Sequence, residues 1–296
     1  RFWRRADEYW NARGGSYTDG GAFLFDIRPT DDGGKELVMT NKFGEVVDTH
    51  PPGGHGAADA AEESPLEVDK MDSELAYFSV LEALPHMGWP EALATLEAIE
   101  LNAMSAGREW AWNLLSRLLD RRYDTGSLRR SRWLDLVETS LIRMISAARH
   151  QPCDSFAGQV TLGHHPVPAS DTQRIVVDAR PYPPEGIDSL ALELVALHKA
   201  GWKRFVLLHC RGHRFIGNGF GPGTSDVEID VLGAVGDYLG SGSDGMRITM
   251  HGNAQDQVAQ IHKAGELVVH GDVGQCYGYG SKGGRLFVLG NAAGRP

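Results

Sequence analysis

The spacing of apolar residues changes from region to region and predicts which elements each part of the chain forms. In residues 1–72, the runs AFLFDI and KELVMT are typical of short strands, and the turn-rich run RPTDDGG separates them. The run THPPGGHGAADAAEESP follows, and its proline, glycine and polar content is typical of a linker or mobile loop. The first region is therefore predicted to mix strands and loops and to contain a mobile linker.

Residues 73–150 change to a helical period and predict a small helical bundle. Asp72 or Ser73 can cap a first helix, Pro90 suits the first turn of the next helix, and Gly107 suits its end.

The clearest helix is predicted over 131–149, because one apolar stripe recurs there at spacings of three and four residues: Leu134, Val137, Leu141, Ile145 and Ala148. Four tryptophans of the bundle are interpreted as core residues rather than as an aromatic ligand cage: Trp89, Trp110, Trp112 and Trp133.

Residues 151–210 predict an α/β segment built around a β-α-β unit. RIVVDA is typical of a buried strand, Asp188 or Ser189 can cap an amphipathic helix that Gly201 ends, and KRFVLLH returns as a second strand. The glycine-rich run GNGFGPG comes next, but a strand pattern follows it where a dinucleotide-binding fingerprint needs a helix. We therefore exclude a Rossmann nucleotide site.

Residues 211–296 contain an internal repeat of 19 residues. The segments IDVLGAVGDYLGSGSDGMR, ITMHGNAQDQVAQIHKAGE, LVVHGDVGQCYGYGSKGGR and LFVLGNAAGRP align without a gap from positions 229, 248, 267 and 286. One column holds only glycine, predicted to form tight corners: Gly233, Gly252, Gly271 and Gly290. A phosphate-binding loop does not repeat, whereas a solenoid corner does. The predicted fold class is α+β, with the helical region and β-α-β unit followed by a right-handed parallel β-helix of 19-residue rungs.

Alternation within the rungs assigns aliphatic columns to the interior and two other columns to the outside. The interior columns begin at Ile229 and Val231, and the outer columns begin at Asp230 and Leu232. The outer columns supply a candidate partner surface: Val268, Phe287, His251, His270 and Leu289. Scattered exposed apolar residues are an equally good interpretation of this face. A metal site on the two histidines is disfavoured, because two ligands do not complete a site.

Composition narrows the function further. The net charge of −10 disfavours nucleic acid as a main partner, and no run approaches the roughly 18 apolar residues of a membrane span. The three cysteines are far apart, which excludes a disulfide framework and an iron–sulfur ligand set in this chain and favours a cytoplasmic location. HCRGH combines possible zinc ligands, but it lacks an evident fourth ligand and ends a buried strand, so a structural role is favoured. We predict no catalytic, cofactor-binding or metal-binding residue.

Several motifs resemble the GXGXG domain family over about residues 173–296. The similarity rests on VVDARPYPPEGIDSLALELVALHKAGWKRFVLLHCRGHRFIGNGFG and on the glycine-cornered rungs that follow it. That family includes the C-terminal domain of the large subunit of glutamate synthase, its free-standing relatives, and the C subunit of formylmethanofuran dehydrogenase.

The resemblance implies a non-catalytic scaffold or spacer subunit of a glutamate synthase-type oxidoreductase complex. FMN and iron–sulfur clusters are then expected in partner subunits, and an amidotransferase-like subunit is a further candidate partner. One alternative is a structural subunit of a formylmethanofuran dehydrogenase-like complex or of another molybdenum, tungsten or iron–sulfur redox complex. The other is an independent enzyme with its site between the helical region and the β-helix.

Overall fold

A computed structural model describes residues 23–29, 35–41, 46–50, 66–68, 71–105, 107–119, 123–147, 156–159 and 165–294. The chain divides into two compact units, one of residues 2–62 and the other of residue 1 with residues 63–296.

The smaller unit contains a three-stranded antiparallel sheet in the order β1-β2-β3. Its strands are β1 (Phe23–Pro29), β2 (Lys35–Asn41) and β3 (Val46–His50). The first two confirm the predicted strands, and they pair so that Phe25 lies opposite Met39. The third strand was missed and takes in the first two residues of the predicted linker, whereas residues 51–65 lie outside the described residues.

The described part of the larger unit begins with four helices, which confirms the predicted helical region. They are α1 (Ser73–Ala83), α2 (Trp89–Ser105), α3 (Arg108–Leu118) and α4 (Arg130–Ala147), and a short 3₁₀ turn at Leu84–His86 follows α1.

Local chemistry explains where these helices begin. The Asp72 carboxylate caps α1 by accepting hydrogen bonds from the backbone N–H groups of Glu74 and Leu75, at 3.0 and 2.8 Å. Gly107 has a φ of +96° between α2 and α3, a conformation that favours glycine.

The predicted apolar stripe of α4 is confirmed, because Leu134, Val137, Leu141 and Ile145 are all buried. Ala148 lies outside the described residues. Trp112 and Trp133 are buried in the same core and Trp89 and Trp110 are partly buried against it, so the interpretation of the tryptophans as core is also confirmed.

An eight-stranded parallel sheet forms the rest of the larger unit. Its strands are β4 (Phe156–Gln159), β5 (Arg174–Asp178), β6 (Arg204–His213), β7 (Glu228–Val235), β8 (Asp244–Met250), β9 (Asn253–Ala254), β10 (Ala264–Val269) and β11 (Arg285–Val288). The order is β11-β10-β8-β7-β6-β5-β4, and β9 pairs with β7. Helix α5 (Leu190–Lys199) connects β5 to β6 and confirms the predicted β-α-β unit. The chain therefore combines helices with a parallel sheet.

The 19-residue repeat reappears as the register of this sheet. Ile229 pairs with Ile248, Ile248 pairs with Leu267, and Leu267 pairs with Leu286. Because each pairing joins residues one repeat apart, equivalent positions stack in columns across β7, β8, β10 and β11. The columns of Ile229 and Val231 are buried through β10, as predicted, and are half-buried at Leu286 and Val288.

The two faces of the sheet are covered by different elements. One face packs against α5 and holds the interior columns. On the other face, Val176, Val206, Leu208 and Leu232 share a core with helices α1–α4. An ion pair of 2.5 Å from Arg174 of β5 to Glu109 of α3 also joins the helical layer to the sheet.

The predicted corner glycines have a different structural reason from the one expected of a corner. Only Gly233 has a positive φ, at +109°. A Cβ on Gly252, Gly271 or Gly290 would instead lie 1.9, 2.4 and 2.4 Å from the carbonyl oxygen of the glycine one repeat earlier. Close approach of two backbones, rather than a left-handed turn, therefore requires glycine in this column.

The left-handed backbone lies in three other columns of the repeat. They begin at Gly219, Gly221 and Gly223 and recur every 19 residues with positive φ at each position through residue 280. Glycine is not conserved within them, since these positions also include Tyr238, Gln257, Ala259, Ile261 and Cys276. Positive φ therefore recurs at every second residue at the same place in each repeat.

Candidate functional site

The outer columns of the sheet are partly covered by the chain's own helices. Trp112 of α3 packs its ring edge-on against Phe156 of β4 and against His251, with ring centroids 5.9 and 6.4 Å apart. Leu232 is completely buried and His251 is only 6% exposed. The prediction that these two positions face solvent was therefore wrong, because alternation identifies the face of a strand but not the distant element that packs on it.

On the last two strands, β10 and β11, the helices no longer cover these outer columns. Phe287 on β11 is 45% exposed, and Val268 and Leu289 are half-buried beside it. We call Val268, Phe287 and Leu289 the β11 patch. His270 is half-buried between this patch and His251. A partner surface on the β11 patch stays a prediction, and His251 no longer belongs to it.

The two histidines of the outer column contact each other directly. The rings of His251 and His270 stack with centroids 5.3 Å apart and an interplanar angle of 16°. His251 Nε2 lies 3.0 Å from Asp230 Oδ1, one strand away. Within the part of the chain that the structure describes, no three or more His, Cys, Asp or Glu side chains are grouped as a metal site.

Asparagine and aspartate side chains join successive repeats through hydrogen bonds, a feature that the sequence interpretation missed. Asn253 Oδ1 accepts from the backbone N–H of Asp272, and Asp272 Oδ1 accepts from the backbone N–H of Asn291, both at 2.8 Å. Asp237 and Asp256 begin a second ladder of the same kind, with bonds of 3.1 and 2.8 Å. The detectable signal was the recurrence of Asn or Asp in one column at 19-residue spacing.

A buried serine–histidine pair resembles a nucleophile with its base but serves the fold. Ser243 Oγ lies 2.5 Å from His262 Nδ1 and donates to the carbonyl oxygen of Gly240 at 2.8 Å. The donor between Ser243 and His262 follows from the tautomer of the imidazole. Both residues are at most 3% exposed, and burial lowers the pKa of His262. The pair is a neutral, internal link between two turns.

The segment HCRGH contributes two buried residues at the carboxyl end of β6. Burial raises the pKa of the Cys210 thiol strongly, which disfavours a metal-binding thiolate. His213 Nδ1 accepts from the backbone N–H of Arg211 at 2.9 Å, and its Nε2 donates to the carbonyl oxygen of Tyr182 at 3.1 Å. Burial lowers the pKa of His213, so this imidazole is a neutral structural bridge. These contacts agree with the structural role favoured from the sequence.

His209, the first residue of that segment, has a different environment. Its Nδ1 lies 3.3 Å from Asp178 Oδ1, and its side chain is 30% exposed. The buried carboxylate of Asp178 also accepts from the backbone N–H of Arg180 at 3.1 Å and from Arg180 Nε at 3.0 Å. Burial alone would raise the pKa of Asp178, but the Arg180 hydrogen bonds and the charges of His209 and Arg180 lower it to about 2. Asp178 is therefore an ionised carboxylate that holds one imidazole and one guanidinium.

Comparison with models of known protein families, with curated proteins and with solved structures found no match. The resemblance to the GXGXG domain family accordingly stays a prediction. No helix of the described residues is long and apolar enough to cross a membrane.

Proposed function

We propose that this chain is a non-catalytic scaffold subunit of a multisubunit oxidoreductase complex of glutamate synthase type. In this proposal the repeats are the turns of a right-handed parallel β-helix that acts as a rigid spacer, and the β11 patch docks a catalytic subunit. FMN and iron–sulfur clusters belong to the partner subunits, and the complex works in the cytoplasm.

The proposal rests on one observation, namely where along the outer columns the helices stop covering the sheet. They are covered by the chain's own helices as far as His251 and then continue, in register, as the apolar β11 patch. Sheet faces that bury apolar residues against a second layer are the rule in folded proteins, so an uncovered continuation of a covered face favours a protein partner. Phe287 is the largest side chain of the patch and its expected anchor.

The repeat supports the spacer role through its stiffness. Consecutive turns are joined by parallel strand pairing, by the Asn and Asp ladders, and by stacked interior columns that run from Ile229 to Leu286. Each turn contacts chiefly its neighbours, and such stacking produces extended, rigid solenoids. A right-handed course is the expected one, because parallel crossover connections are right-handed in about 98% of cases.

The chemistry-bearing groups of the repeat region support a structural role as well. His213, Ser243 and the Nδ1 atom of His262 form hydrogen bonds with neighbouring backbone or side-chain groups inside the core. The contact between the helical layer and the sheet is filled by buried apolar side chains such as Trp112, Phe156 and Leu232. The packing of this interface therefore favours the scaffold over an independent enzyme with a site there.

Affinity isolation of the native protein, followed by subunit identification and an absorption spectrum, tests the proposal. Stoichiometric flavin and iron–sulfur subunits with an amidotransferase-like partner are expected. Molybdenum or tungsten in the isolated complex would instead support the formylmethanofuran dehydrogenase-like alternative. A colourless protein without partners would contradict both scaffold proposals.

A further inference from the structure

A cluster of three side chains has the organisation of a binding site, and it lies where β5 ends, beside a bulge in the middle of β6. Asp178 is the last residue of β5 and is 3% exposed, whereas the side chains of Arg180 and His209 are 65% and 30% exposed. The buried carboxylate thus holds two accessible groups beside each other. In sheets with parallel strands, ligands bind preferentially outside the carboxyl ends of the strands.

The hydrogen bond to Asp178 determines which nitrogen of His209 carries the proton. An ionised carboxylate only accepts hydrogen bonds, and the pKa of Asp178 is lowered to about 2, so His209 Nδ1 must be the donor. In the neutral form of the ring, the lone pair is then on Nε2. Within the described residues Nε2 has no hydrogen-bond partner and is not a buried atom, so it is open to solvent.

Arg180 completes the pair with a donor. Its Nε and Nη2 both bond to Asp178, which fixes the plane of the guanidinium. Its Nη1 has no partner among the described residues, and the side chain is largely exposed. The cluster therefore presents a fixed proton acceptor next to a fixed cationic donor.

The backbone at His209 has a conformation that residues other than glycine rarely adopt. Its φ is +56°, in the left-handed region that non-glycine residues rarely adopt, although Asn and His are among those enriched there. The pairing of β6 with β7 shifts its register between Leu207 and Cys210, which is a bulge around His209. Bulges and left-handed residues are concentrated at functional sites, where they aim a side chain.

We propose that His209 and Arg180, oriented by Asp178, bind a small oxyanion that still carries an acidic proton, such as a phosphate or phosphate ester in its monoanionic form. His209 Nε2 accepts a hydrogen bond from the ligand O–H, and Arg180 donates to the anionic oxygen. Binding transfers no atom or electron. This site is independent of the proposed scaffold role, because neither side chain belongs to the β11 patch.

Titration with inorganic phosphate, followed by NMR of the histidine rings, tests the site. The measurement is made at about pH 7.5, where an ordinary imidazole is mostly neutral and part of inorganic phosphate is still monoanionic. We expect the free ring of His209 to carry its proton on Nδ1, and we expect its signals to shift saturably with phosphate. Sulfate is the matched control ligand, since it has the same tetrahedral shape but no proton to donate at this pH, and it should leave these signals unchanged.

Three variants distinguish binding of phosphate at this site from a general effect of charge on phosphate binding. His209→Asn should abolish the saturable shift, and asparagine suits the test because it tolerates positive φ and can still donate to Asp178. Arg180→Gln should weaken phosphate binding by about tenfold or more, as expected for loss of one charged hydrogen bond. His165→Asn is the control, because His165 also pairs with a carboxylate, that of Glu193 at 3.2 Å, and it should bind phosphate like the parent protein.

The proposal is overturned by any of three results. They are a His209 ring protonated on Nε2, equal binding of sulfate and phosphate, and an unchanged phosphate affinity in His209→Asn. The first two are measured on the parent protein, so the test does not depend on the folding of a variant.

Discussion

The backbone N–H of Gly271 donates to the carbonyl oxygen of Gly252, one repeat earlier, with 2.9 Å between nitrogen and oxygen. The same closeness leaves no room for a side chain. A Cβ on Gly271 would lie 2.4 Å from that oxygen and 2.2 Å from Asn253 Oδ1. The same close approach of successive repeats therefore makes the hydrogen bond and requires glycine at this position.

Gly271→Val should destabilise the larger unit by about 3 kcal/mol or more, because overpacking against backbone cannot be relieved by a rotamer change. Chemical denaturation measures this loss. Gly294→Val is the control, since nothing lies within 4 Å of a Cβ there and its φ is ordinary. Equal stability of the two variants would contradict the close packing of turns.

Asp272 should tolerate asparagine and not alanine. Its Oδ1 accepts from the backbone N–H of Asn291 at 2.8 Å, and asparagine offers the same acceptor. Asp272→Ala should lower the free energy of unfolding by about 1 kcal/mol, and Asp272→Asn should change it by less than about half of that. The denaturation midpoints of the two variants measure this difference. If both variants lose the same stability, the side-chain hydrogen bond to Asn291 contributes nothing.

Trp112→Ala should destabilise the helical layer and the sheet together by about 3–5 kcal/mol, the usual cost of deleting a buried aromatic ring. Trp112 is 4% exposed and contacts Phe156 and His251. The loss should appear as one lowered transition by both circular dichroism and fluorescence. Leu101→Ala is the control, because Leu101 is 69% exposed on α2. Separate transitions for helices and sheet would contradict a shared core.

Phe287→Asp should weaken assembly with the partner subunit by about tenfold or more while leaving the fold intact, because it places a charge in the centre of the β11 patch. Co-isolation of subunits with the variant measures the effect. Val167→Asp introduces the same charge at a 77% exposed apolar position outside the patch and should assemble normally. An intact complex with Phe287→Asp would remove the patch as the interface.

Lowering the pH should remove the stabilisation that the ionised Asp178 carboxylate contributes to the folded protein. The pKa of this carboxyl is about 2 in the folded chain against an ordinary value of 3.8, so its stabilisation is present above about pH 4 and is lost as the pH falls toward 2. The loss should be about 2 kcal/mol. Denaturation between pH 5 and pH 2 should therefore show the difference in stability between the parent protein and Asp178→Asn shrinking by this amount. A constant difference would contradict the ionised pair.

Much of the architecture could be predicted because its causes are local or periodic. The apolar stripe from Leu134 to Ile145 has the helical period, and Asp72 can reach the N–H groups it caps within three residues. The 19-residue repeat carries its own register, so the pairing of Ile248 with Leu267 follows from alignment alone. The candidate site could not be predicted in the same way, because Asp178 and His209 are far apart in the chain and are brought together only by the pairing of β5 with β6.

The sequence by itself determined the helical region, the strands of the repeat and the side of each strand that faces the interior. These depend on the period of apolar residues, which every folded arrangement of the same elements must satisfy. Only the tertiary structure decided that Trp112 covers His251 but not Phe287, and that Asp178 orients His209. Such contacts depend on the distance between elements that are remote in sequence, and that distance leaves no periodic trace in the chain.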